Sequence, residues 1–411
     1  MHARDSLSGR RVYAGLMLSS LIDSVAVGIL MPAIPLLALQ LGGNAFAVAA
    51  LVSSQFVAGA FGALALGWLG DRVPRGVLLL ATLAALALSY WLLPLAKTLP
   101  WLFGLRILTG FMSSNLVLLE SFISDITTHD NRSAGIAKLR LGSTAGLILG
   151  PGMAGALTGL RLVDGVQGLL VLAAAVATLQ PAVMAWALYG QLTVKRSKTP
   201  AKCGPAGAAV PGSALQRFLR TARIRDFALV KTLIATCFAS LMAVTPVWAA
   251  SHLGWGAKEL SQLVSAFGIA LLVVQLAIAA GAWPWLTTDA ALFVACVIVV
   301  PGFLLLAVVP GPSTMLACCV LLGLSSAVVN IVVPSAISRM APLEVGAMLG
   351  MVSTTVLLGS TIGPMALGAV YEVAGQAWAW AGGALCALVA AGLAWRHLAR
   401  ADGLAQAPAD V

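Results

Sequence analysis

Long apolar stretches alternate with short polar connections along the whole chain. A helix needs about 20 apolar residues to cross a lipid bilayer, and twelve stretches come close to or exceed that length. They lie near residues 12–39, 46–70, 77–95, 100–124, 138–159, 166–190, 226–250, 258–281, 290–309, 313–338, 345–371 and 378–397. The pattern predicts an all-α membrane protein with twelve transmembrane helices.

One connection differs from the others in length and composition. Residues 191–225 are rich in Lys, Arg, Pro and Gly, as is typical of a flexible linker. This segment separates six predicted helices from six. We therefore predict an N-terminal bundle over 1–190, a basic cytoplasmic linker over 191–225 and a C-terminal bundle over 226–411.

A pattern of glycine and proline occurs once in each predicted bundle, with all four positions displaced by the same 213 residues of a 411-residue chain. The first copy is Gly146, Gly150, Pro151 and Gly155, and the second is Gly359, Gly363, Pro364 and Gly368. A displacement of half the chain indicates an internal repeat. Small residues let membrane helices pack closely, and a proline kinks such a helix. The pattern predicts two pseudo-symmetric six-helix bundles.

Composition and charge restrict the class of protein. Hydrophobic residues make up 60% and charged residues 9% of the chain, whereas a soluble domain carries about 25% charged residues. With the N terminus inside, 19 Lys and Arg residues lie in inside segments and 3 in outside loops. This asymmetry predicts cytoplasmic termini. It explains the net charge of +10 through topology and contact with the lipid bilayer, so we expect no nucleic-acid partner.

The reactive residue types form no arrangement that indicates an enzyme. Six cysteines have no metal-ligand spacing, and four histidines are scattered at the ends of the apolar stretches. We therefore expect no metal, no cofactor and no catalytic site.

Four charged residues fall well inside the predicted helices, away from their ends, namely Asp23, Arg106, Glu120 and Lys231. Charges are costly in a membrane and mark functional sites by default. With a rise of about 1.5 Å per residue, Asp23 and Arg106 come to similar depths. We expect these two residues to pair near the middle of the membrane and to couple transport to protons, with Glu120 as a second candidate.

The remaining polar candidates are open to two interpretations each. Lys231 either meets Glu120 as a gate between the two bundles or extends its amine to the membrane surface. Asn330 and Gln262 either contact a substrate or form interhelical hydrogen bonds. The sequence alone leaves these alternatives open.

The loop after the second predicted helix has a specific pattern. Gly67, Leu69, Asp71, Arg72 and Arg75 resemble the signature G-x-L-x-D-R-x-G-R-[KR] of the major facilitator superfamily. Pro74 replaces its last glycine, and Gly76 replaces its last basic residue. The resemblance implies the twelve-helix fold of that family. It also implies a cytoplasmic latch made by Gly67, Asp71, Arg72 and Arg75 together with Asp125.

Two further patterns narrow the resemblance. Arg106 and Gly110 are similar to the R-x-x-x-G motif of the fourth helix in this superfamily, and Gly146 to Gly155 resemble the fifth-helix motif of its drug/proton antiporters. The resemblance implies a monomeric exporter of a small molecule, driven by protons, in a bacterial inner membrane. A polar metabolite such as a siderophore is an alternative substrate. A proton-coupled or passive importer, and a receptor or enzyme that transports nothing, are the rival functions.

Overall fold

The computed structural model describes residues 2–70, 72–115, 118–119, 122–123, 132–189, 216, 218–340 and 345–405. Throughout these ranges the regular structure is helical, and no strand is formed within them. The all-α prediction is therefore confirmed.

Within the described residues, the first half of the chain forms six helices, which lie close to the six predicted apolar stretches. They are α1 (His2–Gln40), α2 (Ala45–Gly70), α3 (Arg75–Leu92), α4 (Leu99–Met112), α5 (Arg132–Gly159) and α6 (Gly165–Ala187). A short 3-10 turn, Leu93–Leu95, follows α3. The bounds differ from the predicted ones by a few residues, except at the start of α1 and α5 and at the end of α4.

The fourth helix is shorter than the predicted stretch 100–124. A turn at Ser113 and Ser114 interrupts it before the chain becomes helical again at Asn115. The Ser113 hydroxyl donates to the Gly110 carbonyl at 2.9 Å, and the Ser114 hydroxyl donates to Gly59 on α2 at 2.6 Å. Serine side chains compete with the backbone for such acceptors, which explains the interruption.

In the described part of the second half there are seven helices, where six were predicted. They are α7 (Ala222–Leu253), α8 (Ala257–Ala279), α9 (Asp289–Val297), α10 (Val299–Val308), α11 (Pro312–Met340), α12 (Val345–Ala374) and α13 (Gln376–Ala405). A 3-10 turn, Pro284–Thr287, precedes α9. The predicted stretch 290–309 is divided into α9 and α10 because Pro301 has no amide proton and its ring crowds the carbonyl four residues earlier.

Ten stretches of the described chain are long and apolar enough to cross a membrane, and α9 and α10 together form one of them. Helix α4 is a shorter apolar helix. Helix α5 has 28 residues and seven glycines, which make it less apolar than its neighbours. Counting α4 and α5, the structure is consistent with the predicted twelve crossings.

The chain forms two compact units. One comprises Met1–Lys198 with Pro246–Gly268, and the other comprises Thr199–Thr245 with Ile269–Val411. In the first unit, α1 packs against α5 and α6, α2 against α4, and α3 against α6. In the second unit, α13 packs against α9, α10 and α12. The bundle boundaries proposed from the sequence remain a prediction.

Equivalent hydroxyl pairs join equivalent helices in the two halves. The Ser20 and Ser143 hydroxyls are 2.5 Å apart between α1 and α5, and Thr232 donates to Thr355 at 3.2 Å between α7 and α12. Both members of the second pair lie 212 residues after their counterparts, since 232 − 20 and 355 − 143 give the same difference. The glycine and proline pattern is displaced by 213 residues, so the hydroxyl pairs recur on the same helices one position out of register with it.

Candidate functional site

Arg106 is held in the first unit by the packing of α4 on α2. A β-carbon at Gly110 would lie 2.5 Å from the Gln55 carbonyl oxygen, so glycine is required for the two helices to approach here. Arg106 lies one turn earlier on α4 and its guanidinium donates a hydrogen bond to the Gln55 side-chain oxygen. With 6% of its surface exposed, Arg106 is a buried cation whose identified partner is a neutral amide.

Asp23 lies on α1 and is surrounded by neutral groups. The side-chain amides of Gln180 on α6 and Asn115 face its carboxylate. No ion pair joins Asp23 to Arg106 among the described residues, so the direct pair expected from the sequence is not formed in this structure. The fully buried ring of Tyr90 on α3 is an electrostatic neighbour of both charges. The two charged residues therefore belong to one cluster without touching each other.

Several buried polar atoms of this cluster lack a partner. Asp23 Oδ1, Arg106 Nε, Gln180 Oε1 and both amide atoms of Asn115 make no hydrogen bond within the described part of the chain. A buried polar group without a partner costs about 1–3 kcal/mol. Such groups occur where water, a proton or a ligand group completes the arrangement. The cluster is thus the candidate functional site of the first unit.

The fifth-helix pattern brings α5 against two neighbours. On one side, a β-carbon at Gly150 would lie 2.9 Å from Gly28 Cα, and one at Gly28 would lie 2.7 Å from the Pro151 ring. Gly146 makes a similar approach to Leu21 and Ser24 on α1. The glycines are required here because two helix backbones come nearly into contact.

The other side of α5 faces α8 in the same compact unit. A β-carbon at Gly155 would lie 3.3 Å from Ser261 Cβ and 3.8 Å from Gln262 Cγ, and one at Gly159 would lie 3.6 Å from Lys258 Cε. Gly152 faces Ser265. The repeated pattern of α5 therefore sets its distance to both α1 and α8.

The second copy of the pattern packs α12 against α7. A β-carbon at Gly359 would contact Thr232 Cγ2 and lie 2.7 Å from Thr236 Oγ1, and Gly363 also faces Thr236. Pro364 and Gly368 are buried. Here the glycines meet threonine side chains rather than a neighbouring backbone.

Part of the predicted cytoplasmic latch is described. Gly67 lies in the last turn of α2, and Arg75 is the first residue of α3. The Arg72 guanidinium lies over the Trp68 ring, 3.4 Å from its centroid, in a cation–π contact. Asp71, Asp125 and the proton-coupling candidate Glu120 lie outside the described residues, so the latch stays a prediction.

The remaining candidates lie on helices of both units. Lys231 is half-buried on α7, whereas the side chains of Gln262 on α8 and Asn330 on α11 are exposed. Exposure is compatible with substrate contact and gives no evidence for an interhelical bond. Their roles stay predictions. No group of three His, Cys, Asp or Glu side chains within the described ranges is placed to hold a metal ion.

Sequence reasoning missed the neutral members of the cluster. It ranked residues by formal charge, whereas Gln55, Tyr90, Asn115 and Gln180 carry none at neutral pH. In the sequence these residues stand out only as polar side chains within apolar stretches. Many residues that merely pack between helices share that feature.

A buried acid in the second half was also missed. Asp226 and His397 are 3.5 Å apart from Oδ2 to Nε2, and both are almost fully buried. The His397 ring stacks on Phe227 with centroids 4.7 Å apart. Asp226 was placed at a helix end because α7 was predicted to begin there, but α7 begins at Ala222.

The sequence matches the family model of the Major Facilitator Superfamily over residues 16–342. The chain belongs to the Major Facilitator Superfamily. The protein is accordingly a multi-pass integral membrane protein and a transporter rather than an enzyme, as the sequence patterns predicted.

Solved structures of similar fold cover nearly the whole chain. A bacterial homologue of the human lysosomal transporter Spinster, solved in an inward-facing and unoccupied conformation, aligns with a TM-score of 0.72 and 14% identity, over 94% of this chain and 96% of its own. The nucleoside transporter NupG aligns with a TM-score of 0.68 and 17% identity, over 94% of this chain and 98% of its own. At these identities the likeness concerns the fold.

Curated relatives match over a shorter part of the sequence. The class D tetracycline resistance protein of Salmonella ordonez is 30% identical over 141 residues, which cover 33% of this chain and 35% of that protein. The class G protein of Vibrio anguillarum is 29% identical over 152 residues, which cover 34% and 36% respectively. This chain therefore spans about a third of the length of the curated relatives it matches.

Proposed function

We propose that this transporter exports a small organic molecule in exchange for protons, by alternating access. The observation that carries the proposal is the carboxylate of Asp23, which has a buried, unpartnered oxygen and two neutral amides beside it. A carboxylate without a fixed cationic partner can take up a proton or release it when its surroundings change. The partial similarity to tetracycline resistance proteins supports a drug-like substrate.

The supporting roles follow from the same site. Asp23 carries the proton, and Arg106, buried against Gln55, adjusts the charge balance of the cluster. Glu120 is a second acid of the pathway. The Asp71 and Arg72 latch controls the cytoplasmic side, and the protein acts as a monomer in a bacterial inner membrane with both termini in the cytoplasm.

Proton movement in proteoliposomes tests the proposal. Vesicles that enclose a pH-sensitive dye are exposed to tetracyclines, to cationic drugs and to polar metal chelators. Antiport predicts that substrate uptake into the vesicle releases protons from it, and that Asp23→Asn removes this exchange. Substrate flux without proton flux would instead show a passive carrier, and protons moving with the substrate would show a symporter.

The substrate class has a second candidate because the cluster contains both a buried anion and a buried cation. A polar or anionic metabolite such as a siderophore would use Arg106 as well as Asp23. For that class we expect Arg106→Ala to abolish export. Unchanged export by a well-expressed variant would exclude a substrate role for Arg106.

A further inference from the structure

The position of the Asp23 side chain depends on α6. Gln180 is fully buried on α6, and its amide nitrogen donates to the backbone carbonyl of Ser19 at 3.2 Å. Ser19 is four residues before Asp23, so it lies one helical turn away on the same face of α1. Gln180 is thereby fixed to α1 directly beside the carboxylate.

A second amide faces the same carboxylate from the end of α4. Asn115 is fully buried and follows the turn at Ser113 and Ser114. Neither of its amide atoms has a hydrogen-bond partner among the described residues, and the same holds for Asp23 Oδ1. A buried amide has two donor hydrogens and an acceptor oxygen that need partners. We therefore expect the Asn115 side chain to interact with the Asp23 carboxylate rather than to hold two helices together.

Neutral amides act on a carboxylate differently from a guanidinium. A paired arginine would stabilise the charged carboxylate strongly and cancel its charge. An amide donor orients the carboxylate and leaves its negative charge for a proton or a cationic substrate to neutralise. In this structure the guanidinium of Arg106 is directed to Gln55 instead.

We propose that Gln180 and Asn115 are positioning residues for Asp23, with Gln180 anchored on α1 and Asn115 free to close on the carboxylate. The proposal rests on the proposed proton-coupled function, because it assigns the two amides to the acid that carries the proton. On this proposal, the contact between α1 and α6 orients the Asp23 carboxylate, and Arg106 on α4 does not.

Infrared spectroscopy of the purified protein tests the contact without a substrate. The carbonyl stretch of protonated Asp23 is identified as the band that Asp23→Asn removes. Gln180→Leu, which keeps the side-chain bulk and loses the amide, is expected to shift that band because the polar group beside the carboxyl group is lost. Thr178→Ala on the same helix is the control, since its exposed hydroxyl bonds within α6 to Ala175. An unshifted band in both Gln180→Leu and Asn115→Leu would overturn the proposal.

A double-mutant comparison in proteoliposomes separates positioning from structural support. Gln180→Leu is expected to lower the initial rate of substrate-driven proton exchange about tenfold, the scale of one hydrogen bond to a charged group. In an Asp23→Asn background, where this exchange is already lost, the same change is expected to leave substrate binding unaltered. A loss of substrate binding in that background would show that Gln180 only supports the fold and would overturn its assignment. Where Gln180→Leu does not fold, Asn115→Leu carries the same comparison.

The two experiments distinguish failure of the inference from failure of the proposed function. If the infrared band shifts and no substrate moves protons, the positioning role stands and the antiport proposal fails. If antiport is observed and neither Gln180→Leu nor Asn115→Leu shifts the band, the antiport proposal stands and the positioning role fails.

Discussion

The contact of α1 with α5 and the contact of α7 with α12 are built from the same kinds of groups but differ in the residues that supply them. Each has a hydroxyl pair, Ser20 with Ser143 and Thr232 with Thr355, and each has glycines where the helices approach. The α1 contact lies three residues before Asp23, whereas the residue 212 positions after Asp23 is Ala235. The helix contacts are therefore alike in the two halves, whereas the position that matches Asp23 in the second half carries no acid.

The second half places its buried acid elsewhere and gives it a partner. Asp226 meets His397 between α7 and α13, in a pair backed by the Phe227 ring. Asp23 instead has neutral neighbours and an unpartnered oxygen. A paired acid stabilises a helix contact, whereas an unpaired acid is available for chemistry. The two halves therefore predict opposite responses to mutation, which can be ranked by size.

The largest effect is expected for Asp226→Ala. Asp226→Ala takes the carboxylate away from the buried His397 ring, 3.5 Å from Nε2, and removing one partner of a buried polar pair costs about 1–3 kcal/mol. We expect the free energy of unfolding in detergent to fall by about 3 kcal/mol. The double variant Asp226→Ala/His397→Ala should lose less than the sum of the two single changes. Full additivity would show that the two side chains do not stabilise each other.

The next largest effects are expected when alanine replaces a glycine of the repeated pattern, and these effects should differ between the two halves. A methyl group at Gly146 would collide with the backbone of α1, including the Val25 nitrogen at 2.9 Å, whereas at Gly359 it would meet the Thr232 and Thr236 side chains. A helix backbone moves aside less readily than a side chain. We therefore expect Gly146→Ala to lower the free energy of unfolding by about 2–3 kcal/mol and Gly359→Ala to lower it by about 1 kcal/mol. The measurement is thermal unfolding of the purified variants.

Gly350 on α12 provides the control for this pair, because a β-carbon there would meet open space. Gly350→Ala should be neutral or slightly stabilising, since alanine favours helix formation over glycine. Equal losses at Gly146 and Gly359 would contradict the distinction between backbone and side-chain contacts.

Asp23→Asn should change stability little while it removes proton exchange. The carboxylate has no ion pair to lose, and its Oδ1 has no hydrogen-bond partner in the described structure. We expect the free energy of unfolding to stay within about 1 kcal/mol of the parent protein. A loss as large as that of Asp226→Ala would show that Asp23 has a structural role.

The smallest effects are expected at the hydroxyl pairs. Ser20→Ala and Thr232→Val each remove one interhelical hydrogen bond, and such bonds average about 0.6 kcal/mol in membrane proteins. Double-mutant cycles with Ser143→Ala and Thr355→Val should give similar coupling energies. A coupling found in one half alone would show that the two contacts have diverged in energy as well as in residue type.

Much of the fold could be predicted because lipid imposes a simple rule on the sequence. Apolar length located the helices, and the displaced glycines located equivalent positions on α5 and α12. The division of the ninth crossing and the end of α4 were missed because Pro301, Ser113 and Ser114 act on a few backbone hydrogen bonds, which apolar length does not reveal.

The candidate site was predicted only in part. Asp23 and Arg106 are conspicuous as charges, and the depth estimate placed them at similar levels in the membrane. Their partners depend on the rotation of each helix about its axis, which the sequence did not give. Gln55 therefore accepts from Arg106, and Gln180 and Asn115 face Asp23, in place of the expected direct pair.

The two hydroxyl pairs also enclose segments of equal length. Ser20 and Ser143 are separated by 123 residues, and so are Thr232 and Thr355. Three crossings and their loops fill each interval. The intervals are therefore interchangeable in length. A chimeric chain in which one interval replaces the other would keep both hydroxyl positions in register, although it would carry different polar residues between them.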